Sequence, residues 1–323
     1  GYALADGAKH RANICCARSM SADLPPTIDP QAAARWARHR HPQSPWLHEE
    51  VGRRTQQRPQ RTPFQPRSWV DWEPLGGGIQ AHRAVAQAYA GASCWIVEPD
   101  ASRQAAVAQA LHQPWWSAAR WRQPELQFGL APDGSVDMVW ANMALHMAAD
   151  PAALLRRWGK MLKTDGFLMF SCLGPDTLIE LRALYRSMGW PAPAHEFTDM
   201  HDWGDMLVQA GFAEPVMDME RLTLTFTSPE NLFAELRGLG RNLHSQRFTG
   251  LRGRQWQSRL HRELAADQAA RRPGQALVLT FEVNYGHALK PQPRVSVQRE
   301  TVLSLDEMRQ VLQKNRRDSP PNT

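Results

Sequence analysis

Two acids and three glycines have a spacing that suits a nucleotide-type ligand. Asp71 ends a short apolar run, Gly76, Gly77 and Gly78 follow, and Glu98 closes the next apolar run. Glycines let a ligand approach the backbone where any Cβ would collide with it. A carboxylate at the end of the second strand can accept both hydroxyls of a ribose. A second group follows. Asp133, in Asp133-Gly134-Ser135 ahead of SVDMVWAN, is a loop acid of the kind that could face an adenine amino group. Asn142 and His146 lie just past that run, although His146 reads more readily as a partly exposed helix residue. A third group is basic. Arg237, Arg241, Arg247, Arg252, Arg254, Arg259 and Arg262 fall in one stretch without Asp or Glu. Its chemistry admits a solvated surface, phosphate binding, or docking of an acidic protein. No recognised nucleic-acid motif accompanies it.

The elements that must hold these residues follow from periodicity. Ser68–Asp100 reads as strand, glycine turn, helix and strand, the opening unit of a nucleotide-type α/β domain. Before it, Pro30 to Arg54 predicts two short helices, with Ser44 as N-cap and Pro45 at the first helical position. Residues 55–67 read as a polar linker. After it come a helix over Ala101–Leu111, an irregular stretch 112–135, and a buried strand over Ser135–Ala141. A helix opened by Asp150-Pro151 leads through the Asp165-Gly166 turn to a strand ending at Cys172. Helices are predicted over Pro175–Met188, Met200–Ala210 and Pro229–Gly238, with strands over Val216–Thr227 and Ala276–Tyr285. Strands alternating with helices of ten to twelve residues predict a doubly wound, mostly parallel sheet.

Composition sets bounds. The 323 residues are 42% hydrophobic and 22% charged, as in a soluble globular protein. No apolar run approaches the ~18 residues of a membrane-spanning helix. Cys15, Cys16, Cys94 and Cys172 lack metal-ligand spacing, so no metal site is indicated and a reducing cytoplasm is the expected compartment. The net charge of +6 suits an acidic partner. Residues 1–26 read as a disordered N-terminal extension and 291–323 as a polar tail, leaving 27–290 as one domain.

The run VDMVWANMALHMAADPAALLRRWGKMLKTDGFLMFSCLGPDTLIELR resembles the centre of the class I S-adenosylmethionine-dependent methyltransferases. Within that class, HEFTDMHDWGDMLVQAGFAEPVMDMERLTLTF and NLFAELRGLGRNLHSQRFTGLRGR are similar to the malonyl-acyl carrier protein O-methyltransferases of biotin synthesis. The resemblance covers roughly 27–290. It implies an α/β, Rossmann-like fold: a seven-stranded, mostly parallel sheet with helices on both faces. It also implies N-terminal helices, an antiparallel strand supplied by Ala276–Tyr285, and a helical, arginine-rich lid over 229–275. S-adenosylmethionine is the implied cofactor, held by Asp71, Gly76, Gly77, Gly78, Glu98, Asp133 and Asn142. The implied partner is an acidic acyl carrier protein, meeting the basic 237–262 segment. Arg237 or Arg241 is the implied clamp on the substrate carboxylate.

The family pattern is an acid followed almost at once by alternating glycines. Here Trp72, Glu73, Pro74 and Leu75 intervene, and Trp72 is expected to take up volume near the cofactor's methionine end. A rebuilt loop and a loop that has lost its cofactor both fit. Two further functions stay open beside methyl transfer to the carrier. One is a carrier-binding module without catalysis, and the other a methyltransferase with another small-molecule substrate.

Overall fold

The computed structural model describes residues 28–39, 43–58, 65–112, 126–271, 274 and 276–292. The expected extension at 1–26 and almost all of the expected tail lie outside these residues. Two helices, α1 (Pro30–His39) and α2 (Trp46–Gln57), precede the sheet. Then come β1 (Ser68–Trp72), the one-turn helix α3 (Pro74–Gly77), α4 (Ile79–Ala88), β2 (Ser93–Val97) and α5 (Ala101–Leu111). The two-residue β3 (Gln127–Phe128) leads to β4 (Val136–Ala141), α6 (Pro151–Met161), β5 (Leu162–Leu173) and α7 (Ile179–Ser187). The chain closes with α8 (Met200–Gln209), β6 (Ala213–Phe226), α9 (Pro229–Leu239), α10 (Arg254–Arg271) and β7 (Leu277–Leu289).

The strands form one seven-stranded sheet in the order β3-β2-β1-β4-β5-β7-β6. β7 is antiparallel and sits between β5 and β6, so the expected mostly parallel sheet holds. Its ladder with β6 is long and ends where Phe226 pairs with Leu277. The whole of α9 and α10 is therefore strung between two residues that face each other across one ladder. β4 (VDMVWA) is buried at every position, as a central parallel strand covered on both faces must be. Helices pack on both sides. Trp158 and Trp203 fill one face with Val139 and Phe170, and Trp69, Ile96 and Met138 fill the other.

Strand order reverses between β1 and β4. In open α/β sheets the ligand crevice lies outside the carboxyl ends of the strands at such a reversal. Asp71, Glu98 and Asn142 all come to that rim.

Several local expectations are corrected. Ser44 does not cap α2, because Pro45, with extended backbone, occupies the cap position. The Ser44 hydroxyl instead accepts from the Ile79 amide at 3.1 Å and donates to the Leu75 carbonyl at 3.1 Å. α7 begins at Ile179 rather than Pro175, since Leu178 adopts a left-handed φ of 60° and breaks the helix before it. Trp72 turns away from the loop and meets Trp158 edge-on at 5.8 Å inside the core. The volume it fills belongs to the core.

Candidate functional site

Asp71 is the last acid of β1 and is almost wholly buried. Its Oδ2 lies 2.7 Å from His82 Nδ1 on α4, and the His82 ring stacks on Trp69. Burial raises the Asp71 carboxyl above its usual range, with His82 pulling the other way.

The chain leaves β1 through Glu73 in the left-handed region, φ 55° and ψ 54°, which a side chain enters at a cost of roughly 1–2 kcal/mol. Pro74 then opens α3. The Gly76 and Gly77 amides donate to the Glu73 carbonyl at 3.0 and 2.8 Å, and Gly78 donates to Pro74 at 2.8 Å. The Leu75 amide donates to Glu98 Oε1 at 2.8 Å. Beyond the turn, the amides of Gln80 and Ala81 both donate to Glu49 Oε2 of α2, each at 3.0 Å. An acid 30 residues away thus caps α4, where a negative charge is favoured.

Glycine is required here because protein approaches it. A Cβ on Gly77 would stand 2.8 Å from the Asn142 carbonyl oxygen. One on Gly78, at φ 131°, would stand 2.8 Å from Glu49 Oε2. Asn142, just past β4, ties three elements together. Its Nδ2 donates to the His48 carbonyl at 2.7 Å and to the Gly77 carbonyl, while its Oδ1 accepts from Ser171 Oγ at 2.5 Å. His48 Nδ1 lies 2.7 Å from the Gly76 carbonyl.

Glu98 turns inward. One oxygen takes the Leu75 amide, and the other takes Arg103 Nε at 2.7 Å, with the acid's side chain fully enclosed. Burial lifts this carboxyl to about 7, against the Arg103 charge. Asp133 is separated from the group. It is exposed in the turn that enters β4, at the opposite end of that strand from Asn142. The turn is anchored to the end of α6 through Gly134 and Ser135.

The arginines reach the same rim from above. Arg237 of α9 and Arg241 just after it line a cavity of about 220 Å³. Its remaining wall is largely apolar and includes Leu173, Leu181, Phe197 and Phe233, with His146 and His195. His146 is buried there, so the exposed helix position read from sequence is corrected. It lies in a 3-10 turn, and its carbonyl accepts from His195 Nε2 at 3.0 Å. Burial drops the His195 pKa to about 4, so its ring is neutral near pH 7. Outside this cavity a wider groove of about 880 Å³ is lined by Arg35, Arg247, Arg252, Trp36 and Trp256 as well as the two arginines. Between the cavity and the glycine loop there is a crevice of about 20 Å³ beside Gly76, Met143 and Met147. That is room for about one water.

Sequence reasoning reached the loop, its acids and the arginines. It missed Glu49, His48, Ser171, Arg103 and His195. Arg103 stands five residues past Glu98 on the next helix, a spacing that brings a side chain back over the strand end and was open to reading. Glu49 has no local signal.

The model of a methyltransferase domain matches residues 44–214, just over half of the chain. A malonyl-[acyl-carrier protein] O-methyltransferase from Gallionella capsiferriformans is 48% identical over 163 residues, 50% of this chain and 55% of the relative. One of the same name from Laribacter hongkongensis is 44% identical over 162 residues, 50% of this chain and 53% of its own. The chain thus spans about half the length of these two. A third of that name, from Halorhodospira halophila, is 34% identical over 244 residues, covering 75% of this chain and 80% of its own.

Proposed function

The chain belongs to the malonyl-[acyl-carrier protein] O-methyltransferases, a family with a methyltransferase domain, and from that premise we propose that it methylates the free carboxylate of a malonyl thioester borne by acyl carrier protein. The observation that carries this reading is the pair Arg237 and Arg241 on the wall of an otherwise mostly apolar cavity at the carboxyl rim of the sheet. An apolar pocket with a paired cation suits a short acid on the end of a thioester arm. The acceptor carboxylate is ionised at neutral pH, so no general base is needed. Orientation and exclusion of water carry the rate. A guanidinium facing the carboxylate fixes its plane and selects for a free acid. The methyl ester has no charge to pair, so the product is held less tightly. Outside, Arg247, Arg252 and the exposed Leu251 and Phe248 give the groove a basic and apolar character that matches an acidic carrier.

S-adenosylmethionine is the methyl donor in this reading, supplying an electrophilic methyl group. The loop residues as folded do not fit it, because their polar groups are already paired and the adjoining crevice takes about one water. The reaction would serve biotin synthesis in the cytoplasm. No helix among the described residues is long and apolar enough to cross a membrane.

The test is mass spectrometry of malonyl-carrier incubated with the protein and S-adenosylmethionine. The expected product is the methyl ester. Arg237→Ala and Arg241→Ala are expected to cut kcat/KM, and the double variant by 100-fold or more, in line with the roughly 2–5 kcal/mol lost when one side of a desolvated charge pair goes. Full activity in the double variant would overturn the clamp.

A further inference from the structure

We infer that Glu73–Gly78 is a plug: in this chain the loop that should hold S-adenosylmethionine is filled by the protein's own groups, which bar the donor from the fold as it stands. The inference rests on the methyltransferase reading. It comes from a complete account of the backbone donors between residues 73 and 82.

The Glu73 amide donates to Val97, and Pro74 has none. Leu75 donates to Glu98, Gly76 and Gly77 to Glu73, and Gly78 to Pro74. Ile79 donates to Ser44, Gln80 and Ala81 to Glu49, and His82 to Gly78. No amide in the loop or the first turn of α4 is left for a ligand. Acceptors are spent as well. Both Glu98 oxygens are engaged with Leu75 and Arg103, so the acid has no open face for a ribose. The carbonyls of Leu75, Gly76 and Gly77 meet Ser44, His48 and Asn142.

The glycines make the same point sterically. Glycine in such a loop exists so that something can come close to the backbone. At Gly77 that neighbour is Asn142, and at Gly78 it is Glu49. The space a ligand would need is occupied by two residues that hold α2 and β4 against the loop. Leu75 adds its side chain, 3% exposed, to the core beneath.

The donor therefore binds only when α3 unwinds and Glu98 and Glu49 release the amides they hold. Its apparent affinity is reduced by the fraction of molecules in that open form. The cavity and groove under α9 share none of these contacts and meet the crevice beside the loop only through Met147, Leu239 and Trp36, so carrier recognition is independent of the donor.

Isothermal titration with S-adenosylhomocysteine tests the plug in the full chain. Two variants open it differently. Leu75→Gly removes the buried side chain that anchors α3 to the core, and Glu49→Ala frees the start of α4. Far-ultraviolet circular dichroism and a melting curve establish that each is folded. The expected result is binding at least tenfold tighter in a folded variant than in wild type, with affinity for acyl carrier protein unchanged in all three. Equal donor affinity in all three proteins overturns the plug. So does an absence of binding in both folded variants at millimolar ligand. A variant that gains donor affinity yet forms no methyl ester on malonyl-carrier leaves the plug standing and removes the proposed reaction instead.

Discussion

Arg103→Met isolates what holds Glu98 in place. The two side chains are 7% and 0% exposed and meet at 2.7 Å. Nη1 and Nη2 of Arg103 are buried without a hydrogen-bond partner among the described residues, so this guanidinium serves Glu98 first. The carboxyl titrates near 7 in the fold against an ordinary 4.5. Below about pH 6 it is protonated whether or not Arg103 is present. There the substitution costs only packing and one hydrogen bond, about 1–2 kcal/mol. Above pH 7 the native acid ionises against Arg103. Without its partner it is held neutral toward the roughly 8–9 documented for fully buried carboxyls. Each pH unit of that gap is worth about 1.4 kcal/mol, so the variant loses about 2 kcal/mol more at pH 8.5 than at pH 5.5. In sign, the variant's fold keeps its proton where the native fold has given it up, and the unfolded acid is ionised in both. Urea unfolding at the two pH values reads the difference directly. The double variant Arg103→Met/Glu98→Gln is expected to lose this component of the pH dependence, since no acid remains at position 98. A stability loss equal at both pH values would refute the reasoning, and Glu98 would then be no buried titrating group.

His195 titrates near 4 in the fold and ordinarily at 6.5, so between those values the unfolded chain carries the extra proton. Stability is expected to fall by up to about 3 kcal/mol as pH drops through that window, and this component should vanish in His195→Asn under urea unfolding. Asn142→Ala leaves the His48 and Gly77 carbonyls and the Ser171 hydroxyl without their partner. A loss of about 3 kcal/mol is expected, measured by chemical denaturation. Gly77→Ala places a Cβ 2.8 Å from a backbone oxygen, where no side chain can give way, and is expected to cost roughly 1–3 kcal/mol on the same assay. Glu73→Gly relieves a left-handed residue and should raise stability by about 1 kcal/mol, seen as a higher Tm.

Most of the fold was legible because the strands declare themselves. VDMVWA and FLMFSC are nearly continuous apolar runs, broken only by Asp137 and Ser171, and covered parallel strands favour such runs. β3 left no signal, being two exposed residues at the sheet edge. The antiparallel strand was found, but its extension to Leu289 was not, since His287 interrupts the pattern while remaining inside the ladder. Asp71, Gly76–Gly78, Glu98 and Asn142 were legible as a constellation, and the fold brings them to one rim. What they do there was not legible. The groups that occupy the glycine loop and the start of α4 come from Ser44, His48 and Glu49, 28 to 35 residues upstream, and no local spacing reports a contact across that distance. Asp133 shows the converse error. It precedes β4, and whatever precedes a parallel strand lies at its amino end, away from the ligand rim.

The placing of β7 between β5 and β6 has a consequence for how this molecule could change over generations. Phe226 and Leu277 face each other in the ladder, yet 50 residues carrying both α9 and α10 run between them. Antiparallel partners stand about 5 Å apart, a gap that a two-residue hairpin turn closes. The α9–α10 segment is thus an insertion at the tip of a hairpin, and the sheet's ladder stays intact whatever length of chain fills that tip. Exchange, lengthening or loss of the segment would remake the arginine-lined cavity while leaving the glycine loop, Glu98 and Asn142 where they are. The two regions can be inherited separately: one can be rebuilt by recombination at two adjacent points, and the other drifts only residue by residue.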